Sequence, residues 1–300
     1  MNRRCAALCA AIAAVAALGG CGGGDAASSS NRGAAGLVDP DGDPPYVGSL
    51  SANPADGSLY LATNTGLFRV PNGAKRTQRV KGTLRTEEGS GSVSEALVLR
   101  FTGPNEALAS GHPAAGGDLP PALGLIRTTD GGRTWSSVSE LGTADFHAIE
   151  LSRGRLVASM FEQAQIYVSG DGGRTFQTRA APLPLVDLEV DPADPRRWVA
   201  SAENGLYTSG DEGRTWRPRD PTPHSRFAWP KPDELYRIDP DGPVQRSRDG
   251  GTTWARVGTT GGEPQALAAS DGALYAALLD GSIHQSRDGG RTWTERLPAS

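Results

Sequence analysis

The chain has almost no sulfur. Of its 300 residues three are cysteine and two methionine, and Cys5, Cys9 and Cys21 all lie at the N-terminus. Disulfides, cysteine-ligated zinc and a cysteine nucleophile are therefore excluded from everything after Cys21. Aromatic residues are also scarce, at 6%. Blocks of basic residues are missing and the formal net charge is −4, so nucleic acid is not expected as a partner. There is no Ser-His-Asp spacing, phosphate loop or metal-binding helix motif, and no cofactor is expected. The apolar run at the N-terminus, "CAALCAAIAAVAAL" (Cys5–Leu18), falls short of the ~20 residues that a membrane-spanning helix needs. What is abundant is glycine (40) and proline (22), a composition that favours many short strands joined by tight turns.

The N-terminus reads as an address. A cationic "MNRR" precedes the apolar run, which ends in "LGGC" (Leu18–Cys21). Small residues ahead of a cysteine resemble the bacterial lipobox, which implies cleavage before Cys21 and lipidation of its thiol. Residues 1–20 are accordingly expected to be a lipoprotein signal peptide. Residues 21–45, too poor in apolar side chains to pack, are expected to be the lipidated cysteine and a flexible tether. The expected location is the extracytoplasmic side of a cell membrane, with the membrane engaged through Cys21.

From residue 46 onward the chain repeats itself. "TTDGGRTW" (Thr128–Trp135), "SGDGGRTF" (Ser169–Phe176), "SGDEGRTW" (Ser209–Trp216), "SRDGGTTW" (Ser247–Trp254) and "SRDGGRTW" (Ser286–Trp293) are copies of one octapeptide. Their aspartates, Asp130, Asp171, Asp211, Asp249 and Asp288, are 41, 40, 38 and 39 residues apart. A fixed period of this size marks a stacked repeat architecture. An eroded sixth copy, "GLFRVPNGAKRTQRV" (Gly66–Val80), puts Asn72 in the aspartate position, and the 58 residues from Asn72 to Asp130 imply an insertion of about one strand pair. Each unit carries three short apolar or alternating runs, with the octapeptide joining the third to a fourth. Four strands in about 40 residues make a propeller blade. The expectation is an all-β, six-bladed β-propeller over residues 46–300, closed by the first and last blades.

The octapeptide has a physical reading of its own. Its aspartate accepts backbone N–H groups in an Asx-type turn, its glycines permit positive φ, and its aromatic residue drops into the packing layer. It resembles the Asp-box, or BNR repeat, of sialidases, sortilin-type receptors and the photosystem II assembly-factor family, over about residues 46–297. The resemblance implies that the five aspartates are structural and cap the turn between the third and fourth strands.

If the repeats are scaffold, a site should lie where the units differ. The loops entering the first strand and joining the second to the third share the face opposite the octapeptides. His112, His147 and His224 fall there, whereas His284 sits mid-strand. The segments "SGHPAAGGDLPPALGLIRTTDGGRTW" and "FHAIE" are similar to a bacterial group of glycosyl-hydrolase-like, exo-sialidase-like Asp-box proteins. That resemblance carries over His112, Asp118 and His147. An "HVHGL" segment of the group is replaced here by "YVGSL" (Tyr46–Leu50). With Asp145 or Asp187 nearby, the two histidines could bind a metal or polar ligand, although no metal is assigned. Glu162, Glu203, Asp239, Asp241 and Asp280 are further loop-face carboxylates, two of which could serve as acid and base on a glycoside. Sialidases resemble one another in an Arg-Ile-Pro segment, an arginine triad and a Tyr–Glu pair. Here "RIDP" (Arg237–Pro240) lies in the wrong blade, and five of the six tyrosines occupy repeat positions, leaving Tyr46 at the start of a strand.

The expected function is a monomeric binding or assembly module for a protein or glycan partner. A glycoside hydrolase-like enzyme is the first alternative. Metal or small-ligand binding at the loop-rich face is the second.

Overall fold

Short strands whose side chains alternate between two packed faces dominate the molecule. The computed structural model describes residues 44–87, 89–114, 117–160 and 163–299, all within one compact unit. The expected signal peptide, Cys21 and nearly all of the tether lie outside them. No helix among the described residues is long and apolar enough to cross a membrane.

Twenty-five strands follow in chain order. β1 (Val47–Ala52), β2 (Leu59–Thr63), β3 (Gly66–Val70) and β4 (Gln78–Arg79) form one antiparallel sheet. Then come β5 (Gly82–Arg85), β6 (Ser90–Gly103), β7 (Glu106–Pro113), β8 (Leu125–Thr128) and β9 (Thr134–Ser139). A four-stranded sheet follows, of β10 (Ala148–Ser152), β11 (Arg155–Ser159), β12 (Gln165–Ser169) and β13 (Gln177–Ala180). The next has β14 (Leu185–Val190), β15 (Trp198–Ala202), β16 (Gly205–Ser209) and β17 (Arg217–Asp220). Another has β18 (Arg226–Lys231), β19 (Glu234–Ile238), β20 (Pro243–Ser247) and β21 (Ala255–Thr259). The last has β22 (Pro264–Ser270), β23 (Ala273–Leu278), β24 (Ile283–Ser286) and β25 (Thr294–Leu297).

The six expected four-stranded blades are thus five. In the second unit β5 to β9 close on themselves as a five-stranded barrel-like sheet. The insertion is responsible. It adds β5 and lengthens β6 to 14 residues, so that the start of β6 pairs with β5 and its remainder with β7. β5 then runs parallel to β9, Thr83 beside Thr134, and closes the sheet. Gly82 permits this approach, because a Cβ there would collide with the Trp135 indole.

The first strands of successive units form a closed ring: β1 packs on β6, β6 on β10, β10 on β14, β14 on β18, β18 on β22, and β22 on β1. At the closure Val47 N–H donates to Gln265 Oε1 at 2.8 Å, and Arg296 Nη2 donates to the Pro71 carbonyl at 2.7 Å. Position in the sheet explains composition. The second strand, covered on both faces, is largely apolar, and β15 is buried at every residue. The outermost strand is polar and exposed, as in β17, "RPRD", and its arginines and proline discourage edge-to-edge pairing. The core lies between neighbouring sheets: Val157, Ile166 and Val168 of one pack on Leu188, Trp198 and Ala200 of the next.

Each octapeptide joins the third strand of its sheet to the outermost one, β8 to β9 in the closed sheet. The leading Ser or Thr hydroxyl donates to aspartate Oδ1 at 2.7–2.9 Å and accepts the second glycine's N–H at 2.8–2.9 Å. The threonine six positions on gives its N–H to Oδ1 at 2.9–3.0 Å and its hydroxyl to Oδ2 at 2.6–2.7 Å. Thr292's N–H and hydroxyl hold Asp288 down at about 2. Every one of the five carboxylates is bound within its own turn.

Candidate functional site at the channel mouth

The ring of first strands encloses a channel with a cavity of about 220 Å³, lined among others by Tyr46, Arg100, His147, Glu150, Asp187, Glu189 and Arg226. Contacts between units show that the strands begin at a common end. Val47 and Gln265, at the starts of β1 and β22, hydrogen-bond. Phe227 N–H, at the start of β18, donates at 2.7 Å to Asp187 Oδ2, at the start of β14. Tyr46, His147, Asp187 and Arg226 therefore rim the mouth, while Glu150 and Glu189 lie further along their strands. Tyr46, 44% exposed, is one of two large exposed apolar side chains among the described residues. Arg226 spans the rim, with Nη1 on the Val186 carbonyl at 2.7 Å and Nη2 on the Tyr46 hydroxyl at 3.3 Å.

His112 and His147 are brought together on Asp145. His112 Nε2 and His147 Nε2 each lie 3.0 Å from Asp145 Oδ2. His112 Nδ1 lies 2.7 Å from the Pro121 carbonyl. A carbonyl and a carboxylate can only accept, so both ring nitrogens of His112 face acceptors. Burial would raise the Asp145 carboxyl, but the hydrogen bonds from His112 and His147 overcome it and hold the group well below the usual carboxylate range. Asp145 Oδ1 is buried without a donor among the described residues.

The other expected residues stand elsewhere. Asp118 is exposed and lies over Gly89. Asp187 lines the channel with His147 but is tied to the backbone N–H groups of Phe227 and Leu188. Burial pushes Asp187 upward against the opposing pull of Arg226. Asp239 accepts from Ser225 and Gln245, and Asp280 holds Ser282 within its own turn. Glu162 lies outside the described residues. Among the described residues no three His, Cys, Asp or Glu side chains stand in a metal-binding arrangement. At 3.0 Å the imidazoles and Asp145 are spaced as hydrogen-bond partners.

Three residues in the channel were not anticipated. Arg100 Nη2 lies 2.7 Å from Glu150 Oε2, and its Nη1 lies 3.9 Å from Glu189 Oε1. Glu150 and Glu189 thus face the same guanidinium, and each affects the ionisation of the other. Burial pushes Glu150 up to about 7 against the pull of Arg100. Burial and the Glu150 charge raise Glu189 well above its ordinary range. The signal was present in "FHAIEL" and "LVDLEV", where acidic residues interrupt runs that otherwise read as buried strand.

No family model matches the chain. The Dispase autolysis-inducing protein of Streptomyces mobaraensis is 30% identical over 179 residues, 57% of this chain and 44% of its own length. The chain thus spans under half of that relative. Among solved structures, YCF48 from Cyanidioschyzon merolae is similar with a TM-score of 0.50 at 16% identity, over 87% of each chain. YCF48 bound to a D1 peptide gives 0.50 at 20%, over 85% of this chain and 83% of that one. An ancestral GH74 enzyme gives 0.52 at 15%, over 85% of this chain and 39% of that one. The fold is a β-propeller. At these identities the likeness is one of fold alone, and the propeller's channel mouth is read from its own residues.

Proposed function

We propose that the propeller is a binding module whose channel mouth receives a segment of a protein partner. The observation that carries this reading is the engagement of the channel's acidic groups with one another and with fixed cations. Glu150 and Glu189 are both held against Arg100, and Asp145 holds two imidazoles. A glycosidase needs two carboxyls about 5–5.5 Å apart for retention or about 6.5–9.5 Å for inversion. Here both carboxyls are committed to one guanidinium, Arg100, instead. What remains accessible is a rigid rim with an exposed tyrosine beside an arginine, residue types favoured in recognition.

The structure of YCF48 with a D1 peptide supports a peptide-binding use of this fold. The name of the curated relative supports a protein as partner. The octapeptides belong, in this reading, to the Asp-box repeat, and the chain is tethered through a lipidated Cys21 on the extracytoplasmic side of a membrane.

Two measurements on the purified full chain test the reading. A broad glycoside panel, sialosides included, should yield no released sugar. Turnover lost on changing Glu150, Asp187 or Glu189 would overturn it. Dispase incubated with the chain should change its autolysis rate, and Tyr46→Ala or Arg226→Ala should reduce that effect. An unchanged rate, together with no selection from a displayed peptide library, counts against a protein partner.

A further inference from the structure

The repeats allow one boundary between sheets to be compared with the next. Two register positions carry arginine in both the β10–β13 and the β14–β17 sheets. The first immediately precedes the residue paired with the octapeptide serine. It is Arg155 before Leu156, which faces Ser169, and Arg197 before Trp198, which faces Ser209. The second lies eight residues after the octapeptide aspartate, as Arg179 and Arg219.

At the first boundary a carboxylate from the following unit bridges the pair. Glu212, next to Asp211, lies 3.4 Å from Arg155 Nε and 3.4 Å from Arg179 Nη2, and also 3.4 Å from Arg214. At the second boundary the residue next to Asp249 is Gly250. The backbone is alike at the two positions, with φ of 60° at Glu212 and 72° at Gly250. Where the first boundary has the Glu212 carboxylate, the second has the Arg197 guanidinium against Gly250, beside a cavity of about 340 Å³ lined by Arg197, Arg217, Arg219, Thr208, Asp211 and Asp249. Arg217 stands where the preceding sheet has Gln177, and Thr252 where the preceding boundary has Arg214. The guanidinium count is thus unchanged and the one bridging carboxylate is gone.

The arginines there retain unused donors. Arg197 Nη1 is paired with Asp191 at 2.9 Å, and its Nη2 lies against Gly250. Arg219 gives only Nε, to Thr208 Oγ1 at 2.8 Å. The Arg217 side chain has no hydrogen-bond or ion-pair partner among the described residues. Asp211 and Asp249 also line the cavity, but their oxygens are bound within their own turns.

We infer that this cavity is a binding site for a carboxylate supplied from outside the chain, held by Arg197, Arg217 and Arg219 as Glu212 is held by Arg155 and Arg179. Guanidinium forks match a planar carboxylate through paired, charge-assisted hydrogen bonds. The site lies on the octapeptide side of the propeller and does not depend on the reading of the channel mouth.

The test is a titration of the full chain with succinate at constant ionic strength set by potassium chloride, followed through the arginine Nε–Hε resonances. Saturable shifts of Arg197, Arg217 and Arg219 are expected. Arg217→Ala and Arg219→Ala should each weaken binding by roughly tenfold or more, the loss of one charge-assisted donor set. Gly250→Glu should restore the internal carboxylate and abolish succinate binding. Shifts reproduced by chloride alone would overturn the site, as would a folded Gly250→Glu chain that binds succinate like the wild type. Should that variant fail to fold, Arg217→Ala, which breaks no existing contact, decides alone. A parallel titration with inorganic phosphate separates the oxyanions: binding of phosphate without succinate overturns the carboxylate assignment.

Discussion

His112 and His147 belong to neighbouring units, yet both direct Nε2 at one atom, Oδ2 of Asp145, each at 3.0 Å. Asp145 therefore fastens the end of β7 to the segment that enters β10. Its carboxyl is held below its usual value in the folded chain, so its contribution to stability is present above the ordinary aspartate value and is lost as pH falls below it. Asp145→Asn should lower stability by about 1–2 kcal/mol at pH 7, the scale of hydrogen bonds to a charged group. The gap between variant and wild type should close as pH drops below about 4. Urea unfolding at pH 7 and at acid pH measures this, and a gap that does not change with pH would refute it.

Glu150 and Glu189 give the opposite slope. Their carboxyls are raised in the folded chain, Glu150 to about 7, so the folded state holds their protons more tightly than the unfolded state does. The stability they confer is full below the unfolded glutamate value and is lost as pH rises through about 7. A loss on the order of a few kcal/mol between pH 5 and pH 8 follows. Glu150→Gln should flatten the slope, because Glu189 then faces Arg100 without the Glu150 charge beside it. Equal slopes for variant and wild type would show that the two carboxyls do not affect each other.

Much of this molecule was legible because its units repeat. The octapeptide spacing located the turns, and the apolar second strands and polar outer strands followed from their composition. His112, Asp145 and His147, which the structure brings together, were singled out by asking where the units differ. Two features were not legible. The closure of β5 on β9 is a parallel pairing between distant segments, and an insertion length cannot say which edge a new strand will join. The burial of Arg100, Glu150 and Glu189 depends on three units converging on the channel, whereas each acidic residue taken alone reads as a strand side chain facing water.

The proposed lipid anchor makes a prediction of its own. If Cys21 is lipidated, the full chain expressed in a bacterial host should partition with membranes, and the mature mass should include acyl chains on Cys21. Cys21→Ser should move the protein to the soluble extracytoplasmic fraction, since one or two buried acyl chains supply the anchoring free energy. A wild-type chain recovered soluble, with no added mass, would reduce the lipobox to an ordinary cleavage signal.

The octapeptides can be tested for what they hold. Ser247 is 1% exposed, and its hydroxyl both donates to Asp249 Oδ1 and accepts the Gly251 N–H at 2.8 Å. Ser247→Ala removes the acceptor while leaving the N–H buried, which costs about 1–3 kcal/mol. The corresponding change at Ser169, whose hydroxyl accepts the Gly173 N–H at 2.9 Å, should cost a similar amount. The two turns are far enough apart for the double variant to lose the sum. Neither change touches the channel mouth, so any binding measured there should survive in the folded single variants. A Ser247→Ala chain of unchanged stability would mean that the turn is held by its aspartate alone. A stable variant with abolished binding at the mouth would give the octapeptide a role beyond structure.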